Sequence, residues 1–424
     1  MPLHRIPVPR RSRVLPFLIG SALFLTMFAH ADPPAFFVAD GHNDVLSRVV
    51  GGMDLMTTPP ARQTNLQRMK AGGLGLQVFS VWVDVEEYKG NDAVRRTFDM
   101  IAALREQCEK HPDQLVMCST AADVDRARAE GKLAALIGIE GGISIDNDPR
   151  LLTVYRALGT RYMTLTWRGD LDWAGSSQPV RDGGPWAVAD DHGEDADTTA
   201  TRAAAANHPP TGKGLNELGR QIVKRCNELG ILVDLSHVSD QTFYDALAVS
   251  TKPVIISHSC CRALSDHPRN VTDDLLRALA NNGGVMGINF YSEYVDAQSI
   301  YKRDEVQRKL DPQIRDLRKD FPNDEVAYRK AWNRLIDKEL PNVAHPDMDT
   351  IVAQIDHVVK IAGVDHVGLG SDYDGMRDPA FGLEDPSKYQ DLAKALLAHG
   401  YSKEDVKKIM GENFLRILRE SDRH

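Results

Sequence analysis

The chain has few cysteines, few aromatic residues and no excess of positive charge, and each shortage removes a class of function. Five cysteines in 424 residues are too sparse for a scaffold in which bridges replace a core. Lysine and arginine number 51 against 60 acidic residues, a net charge of −9, so the basic surface that nucleic-acid binding needs is missing. No Gly-rich dinucleotide-binding turn follows a strand-like run, which argues against an open doubly wound sheet. What is present, 42% hydrophobic and 26% charged residues, is ordinary globular composition and excludes a disordered or collagen-like chain.

The N-terminus reads as a secretory signal. Arg5, Arg10, Arg11 and Arg13 precede the uncharged run Val14–Ala29, which ends in Ala29-His30-Ala31; the run falls short of the ~20 residues of a spanning helix. Cleavage near Ala31 would leave residues 32–424 as one domain in a periplasmic or secreted protein. Its loss removes arginines and no acid, so the remaining chain is more acidic still. No cysteine stands at the cleavage point and the tail Ile417–His424 is polar, so no stable membrane anchor is expected. In an oxidising compartment Cys108 and Cys118 are close enough to pair, whereas the adjacent Cys260 and Cys261 read as buried free thiols.

Eight apolar, β-branched runs alternate with amphipathic segments: 36–40, 76–83, 134–139, 162–166, 231–235, 254–257, 285–290 and 366–370. The segment 215–229 between two of them puts Leu218, Ile222, Val223 and Cys226 on one helical face. Eight βα units over nearly the whole chain predict an α/β fold, a closed (β/α)8 TIM-type barrel with inserted loops. The two long departures are 176–214, a loop with an acidic tip at Asp190, Asp191, Glu194, Asp195 and Asp197, and 301–339, a densely charged helical insertion before the last strand and a candidate lid.

Barrels of this kind place their chemistry at the carboxyl ends of the strands. The first run ends in Asp40-Gly41-His42-Asn43-Asp44, where alternation turns His42 and Asp44 to one side. The third ends in Glu140-Gly141-Gly142, the fifth in Asp234-Leu235-Ser236-His237 and the sixth in Ser257-His258-Ser259. Any one of these is more often a hydrogen-bonded core residue than a ligand. Together, at the same position on four strands, His42, Asp44, Glu140, His237 and His258 read as a metal cluster. Five ligands exceed what one catalytic zinc takes, but suit two ions sharing a bridging carboxylate, with Glu140 the natural bridge. Such a pair holds a shared water as hydroxide near neutral pH. The last run ends in Gly370-Ser371-Asp372-Tyr373-Asp374-Gly375, which places Asp372 to carry the proton from water to a leaving amine.

These motifs resemble the renal-type membrane dipeptidase family of the amidohydrolase superfamily, from about Asp40 to the Gly411–Arg416 segment. The resemblance implies a zinc-dependent dipeptidase with two Zn2+ per chain, His42, Asp44 and Glu140 on one and Glu140, His237 and His258 on the other, with Asp372 handling the proton. It also places Arg269 at the substrate's C-terminal carboxylate and Tyr291 at the pocket wall. A guanidinium fork matches a carboxylate in two parallel hydrogen bonds. One position departs from the family: better-known members carry a histidine after the fourth strand that polarises the scissile carbonyl, and here stands Trp167, which reads as a substrate-binding residue packing against an apolar side chain while zinc carries the oxyanion charge. The leading reading is a hydrolase of small dipeptides with a free C-terminal carboxylate. An amidohydrolase of N-acyl amino acids or lactams shares the site, and a metal-binding protein without turnover is the third reading. A homodimer is compatible with all three.

Overall fold

The computed structural model describes residues 36–57, 62–178, 212–321, 346–376 and 378–423, with isolated helical positions between 331 and 338. The export segment, the acidic loop tip and most of 322–345 lie outside the described residues. Among those described, no helix is long and apolar enough to cross a membrane.

Among the described residues nine parallel strands form one sheet: β1 (Val38–Asp40), β2 (Leu74–Trp82), β3 (Leu115–Met117), β4 (Leu133–Glu140), β5 (Thr160–Thr164), β6 (Leu232–Asp234), β7 (Ile255–Ser259), β8 (Val285–Ile288) and β9 (Val367–Leu369). Eight of them close into a barrel in the order β1, β2, β4, β5, β6, β7, β8, β9, with β9 returning to β1. All eight expected runs are barrel strands, with ends shifted by a few residues. The strand missed in the sequence is β3, three residues long, which pairs with the first half of β4 while β5 takes the second half of the same edge. It extends the sheet without entering the ring.

Helices cover the outside of the barrel, so the strands are buried on both faces and read as near-continuous apolar runs. Every residue of β4, from Leu133 to Glu140, is buried. The helices start and stop where local chemistry dictates. Asn216 caps helix Glu217–Leu229 by accepting from the Gly219 N–H, and Gly230 ends it at φ 65°, a left-handed conformation that glycine adopts without a Cβ clash. The buried stripe of that helix includes Ile222, Val223 and Cys226, as its spacing predicts. The charged insertion before β9 begins as helix Ala297–Asp320. Cys108 and Cys118 are free thiols, as are Cys226, Cys260 and Cys261; the candidate pairing of Cys108 with Cys118 is therefore not formed.

Candidate metal centre

The five sequence-predicted ligands meet at one end of the barrel. Beyond β1 the chain stays extended, with Asn43 bridging Tyr373 and the Asp44 N–H bonded to the Tyr373 carbonyl at 2.9 Å. This keeps His42 and Asp44 on one side: His42 Nε2 lies 3.2 Å from Asp44 Oδ2 and 3.2 Å from Glu140 Oε2. Glu140 ends β4, and its other oxygen, Oε1, lies 3.0 Å from His237 Nε2 and 3.7 Å from His258 Nε2. The two histidine nitrogens are 2.9 Å apart.

This cluster fits metal ions. His42 Nε2 is buried and makes no hydrogen bond, although two carboxylate oxygens face it. His42, Glu140 and His258 offer ligand atoms within 4.8 Å of one another, and so do His42, Asp44 and Asp372. Acceptors packed together without donors repel unless a cation sits among them. The second group also brings Asp372, read from the sequence as a proton carrier, within ligand reach.

Electrostatics follow from burial and crowding. Burial pushes His237 down to about 3, with Arg269 adding to the effect, and burial together with His42 and Arg269 holds His258 well below its ordinary value. Both imidazoles are thereby neutral, the form that ligates metal. For His42 burial works in the same direction, but Tyr162, Glu140 and Asp44 outweigh it and raise its pKa. Burial would raise Glu140, yet His42 and His237 hold it well below the usual carboxylate range. Asp372 is raised well above that range by burial and then by the charge of Asp44.

A layer of polar residues beneath the cluster orients His42, Glu140 and His258, and most of it carried no signal in the sequence. The Tyr162 hydroxyl lies 2.8 Å from His42 Nδ1, and it crosses the barrel interior because Gly138 leaves the space where a Cβ would strike its ring. Ser80 donates to Glu140 Oε2 at 2.8 Å. Ser257 Oγ lies 2.8 Å from His258 Nδ1 and donates to Asp234 Oδ2 at 2.7 Å, while the Ser257 N–H bonds Asp234 Oδ1 at 2.8 Å. Asp40 holds Ser371 through the same atoms, N–H to Oδ1 at 2.9 Å and Oγ to Oδ2 at 2.7 Å. Two strand junctions, β6 to β7 and β1 to β9, thus use one clamp twice. Asn289 donates to Asp372 Oδ2 at 2.9 Å. His237 and Asp372 both sit at φ 66°, a left-handed conformation that costs a non-glycine residue roughly 1–3 kcal/mol and that the packing around them must hold.

The predicted substrate residues surround this centre. Arg269 is buried, with Nη1 on Ser259 Oγ at 3.0 Å, Nη2 on the His258 carbonyl at 3.1 Å and its plane against Tyr294. Its Nε has no hydrogen-bond partner, and among the described residues no carboxylate pairs with it, so this buried cation is left for an anion. Tyr291 is half-buried, edge-on to Tyr294 at 4.9 Å, and its backbone bridges Pro379. Trp167 lies 6.4 Å from the His237 ring and 4.9 Å from Trp82.

Residues 33–195 and 191–424 match the sequence model of the membrane dipeptidase family, peptidase family M19. The chain belongs to this family. Membership makes it a metallo-dipeptidase, a hydrolase of peptide bonds. The barrel is shared with solved structures at low sequence identity. The dipeptidase AC, a metallopeptidase of family M19, superposes at a TM-score of 0.70 with 24% identity, covering 91% of this chain and 98% of that one. A metallopeptidase from Rhodobacter sphaeroides, liganded with a phosphinate mimic of L-Ala-D-Ala, gives 0.70 at 24% identity over 91% and 99%. The probable dipeptidase PvdM from Pseudomonas aeruginosa gives 0.69 at 23% identity over 91% and 95%.

Proposed function

We propose that this M19 member works with two zinc ions and hydrolyses dipeptides whose C-terminal carboxylate is free. The observation that carries the reading is the placement of Glu140, one oxygen toward His42 and the other toward His237 and His258, which makes a single carboxylate common to two half-sites. His42, Asp44 and Glu140 would hold one ion; Glu140, His237 and His258 would hold the other. Zinc bound there supplies Lewis acidity toward water and the scissile carbonyl.

The chain's own residues do the rest. Arg269, with no carboxylate of its own, receives the substrate's C-terminal carboxylate and so sets the scissile bond over Glu140. As water adds to the carbonyl carbon, Asp372 takes its proton and returns it to the amine nitrogen when the C–N bond breaks. Asn289 fixes the carboxyl group in the orientation that both transfers use. The dipeptide mimic bound by the Rhodobacter sphaeroides relative supports a ligand of this size. The basic segment and uncharged run of residues 5–31 support export, with cleavage near Ala31.

Zinc content and a small substrate panel test the reading: Ala-Ala, its C-terminal amide, N-acetylalanine and a β-lactam. Two zinc per chain and cleavage of Ala-Ala but not of the amide are expected. One ion at full activity overturns the shared site, and equal cleavage of the amide overturns the carboxylate requirement. Turnover confined to N-acetylalanine or the lactam moves the chain to the amidohydrolase reading.

A further inference from the structure

Two indoles stand beside the metal centre, and the barrel geometry places one of them, Trp82, across the ring from the strand that precedes the carboxylate-binding arginine. Trp82 is the last residue of β2 and pairs in register with Glu140. Ser80, two residues earlier, reaches Glu140 Oε2, so it points into the barrel, and strand alternation turns Trp82 to the same side at the mouth. Trp167 follows β5, whose Thr164 pairs with Glu140 from the other edge. The strands flanking β4 therefore each deliver a tryptophan next to the Glu140 strand end.

The rings form a fixed corner. They meet edge-on, 4.9 Å between centroids at 68°, with Trp167 also 6.4 Å from His237. Ser176 Oγ donates to the Trp167 carbonyl at 2.6 Å, and the Arg168 guanidinium lies 5.2 Å from the Trp167 ring centroid. Both tryptophans are only half-buried, so apolar surface remains open at the mouth. The Trp82 Nε1–H is buried without a hydrogen-bond partner, a donor left for water or a ligand acceptor.

Arg269 follows β7, and in the ring of eight β7 and β2 are four strands apart, on opposite sides. A dipeptide anchored by its carboxylate at Arg269 and lying over Glu140 carries its N-terminal residue toward Trp82. We infer that Trp82 and Trp167 form an aromatic subsite for the side chain of the substrate's N-terminal residue, so that the enzyme favours dipeptides beginning with a large apolar or aromatic residue. The inference rests on the dipeptidase reading above and on the Arg269 anchor.

The test compares kcat/KM for Ala-Ala, Leu-Ala, Phe-Ala and Trp-Ala, together with binding of phosphinate mimics carrying Ala or Phe in the first position, in the zinc-loaded enzyme. Phe-Ala should exceed Ala-Ala by about tenfold or more, the scale of a filled apolar pocket. Trp82→Ala and Trp167→Ala should each lower the Phe-Ala to Ala-Ala ratio at least fivefold, while Trp82→Phe and Trp167→Phe restore most of it. If the alanine variants do not fold, the wild-type ranking and the phenylalanine variants decide. A wild-type ratio of one or below, or a ratio unmoved by the substitutions, overturns the subsite. If the Phe phosphinate binds tenfold tighter than the Ala one but no dipeptide is cleaved, the subsite stands and the dipeptidase reading fails.

Discussion

Asp234 grips Ser257 at two points, through its backbone N–H at 2.8 Å and its hydroxyl at 2.7 Å, and the same hydroxyl lies 2.8 Å from the ring of His258. Carboxylate, hydroxyl and imidazole form a chain that fixes the ring with Nε2 toward Glu140. Outer partners of this kind set ligand orientation and basicity. Asp234→Asn and Ser257→Ala should therefore weaken metal binding by about 10- to 100-fold, read by competition with a metal buffer. An unchanged affinity would show that packing alone positions His258.

In the two-zinc reading Glu140 serves both ions, one oxygen toward His42 and the other toward His237 and His258, whereas His258 serves one. Glu140→Gln should leave less than one zinc per chain, and His258→Ala about one, measured by elemental analysis after dialysis. Equal losses in the two variants would mean that the half-sites do not share Glu140.

Asp372 lies within ligand reach of His42 and Asp44, so proton transfer and metal binding must be separated. Asp372→Asn should lower kcat by roughly 10²-fold or more, the scale for losing a general acid or base, with two zinc ions still bound. Loss of one zinc together with activity would assign Asp372 to the metal instead.

The thiols carry a prediction outside the site. Burial pushes Cys108, Cys118 and Cys226 up to about 12, and raises Cys260 and Cys261 as well. Reactivity follows the thiolate, so a thiol reagent at pH 8 should react slowly with the native protein and count five thiols after denaturation. A denatured count of three would restore the disulfide between Cys108 and Cys118.

The candidate ligands were legible in the sequence because a charged or imidazole side chain at the tip of an apolar strand is costly unless something holds it. Glu140 after Leu133–Ile139 is the clearest case. Alternation likewise paired His42 with Asp44. The residues beneath them were not legible. Ser80 and Glu140, or Tyr162 and His42, meet only because of strand register, and a serine or tyrosine inside an apolar run looks like any other. Trp82 gave no sign for the same reason: its importance comes from pairing with Glu140, 58 positions later in the sequence. At three residues β3 is too short for periodicity to reveal. The part of the charged segment before β9 that lies in helix Ala297–Asp320 was legible as helix from its dense charges of both signs at helical spacing.

The duplicated clamp at Asp40 and Asp234 has a consequence for how the enzyme becomes active. Hydrogen bonds between neighbouring strands hold the junctions that carry His42, Asp372 and His258, so these strand ends are tied together by the chain itself. Removing metal with a chelator should therefore leave the circular dichroism spectrum and the cooperative melt of the barrel in place, with activity returning on readdition. On that outcome loading is a reversible association, separate from folding. The ion carried then depends on what the surroundings supply and on ligand chemistry, rather than on which ion was present when the chain first collapsed.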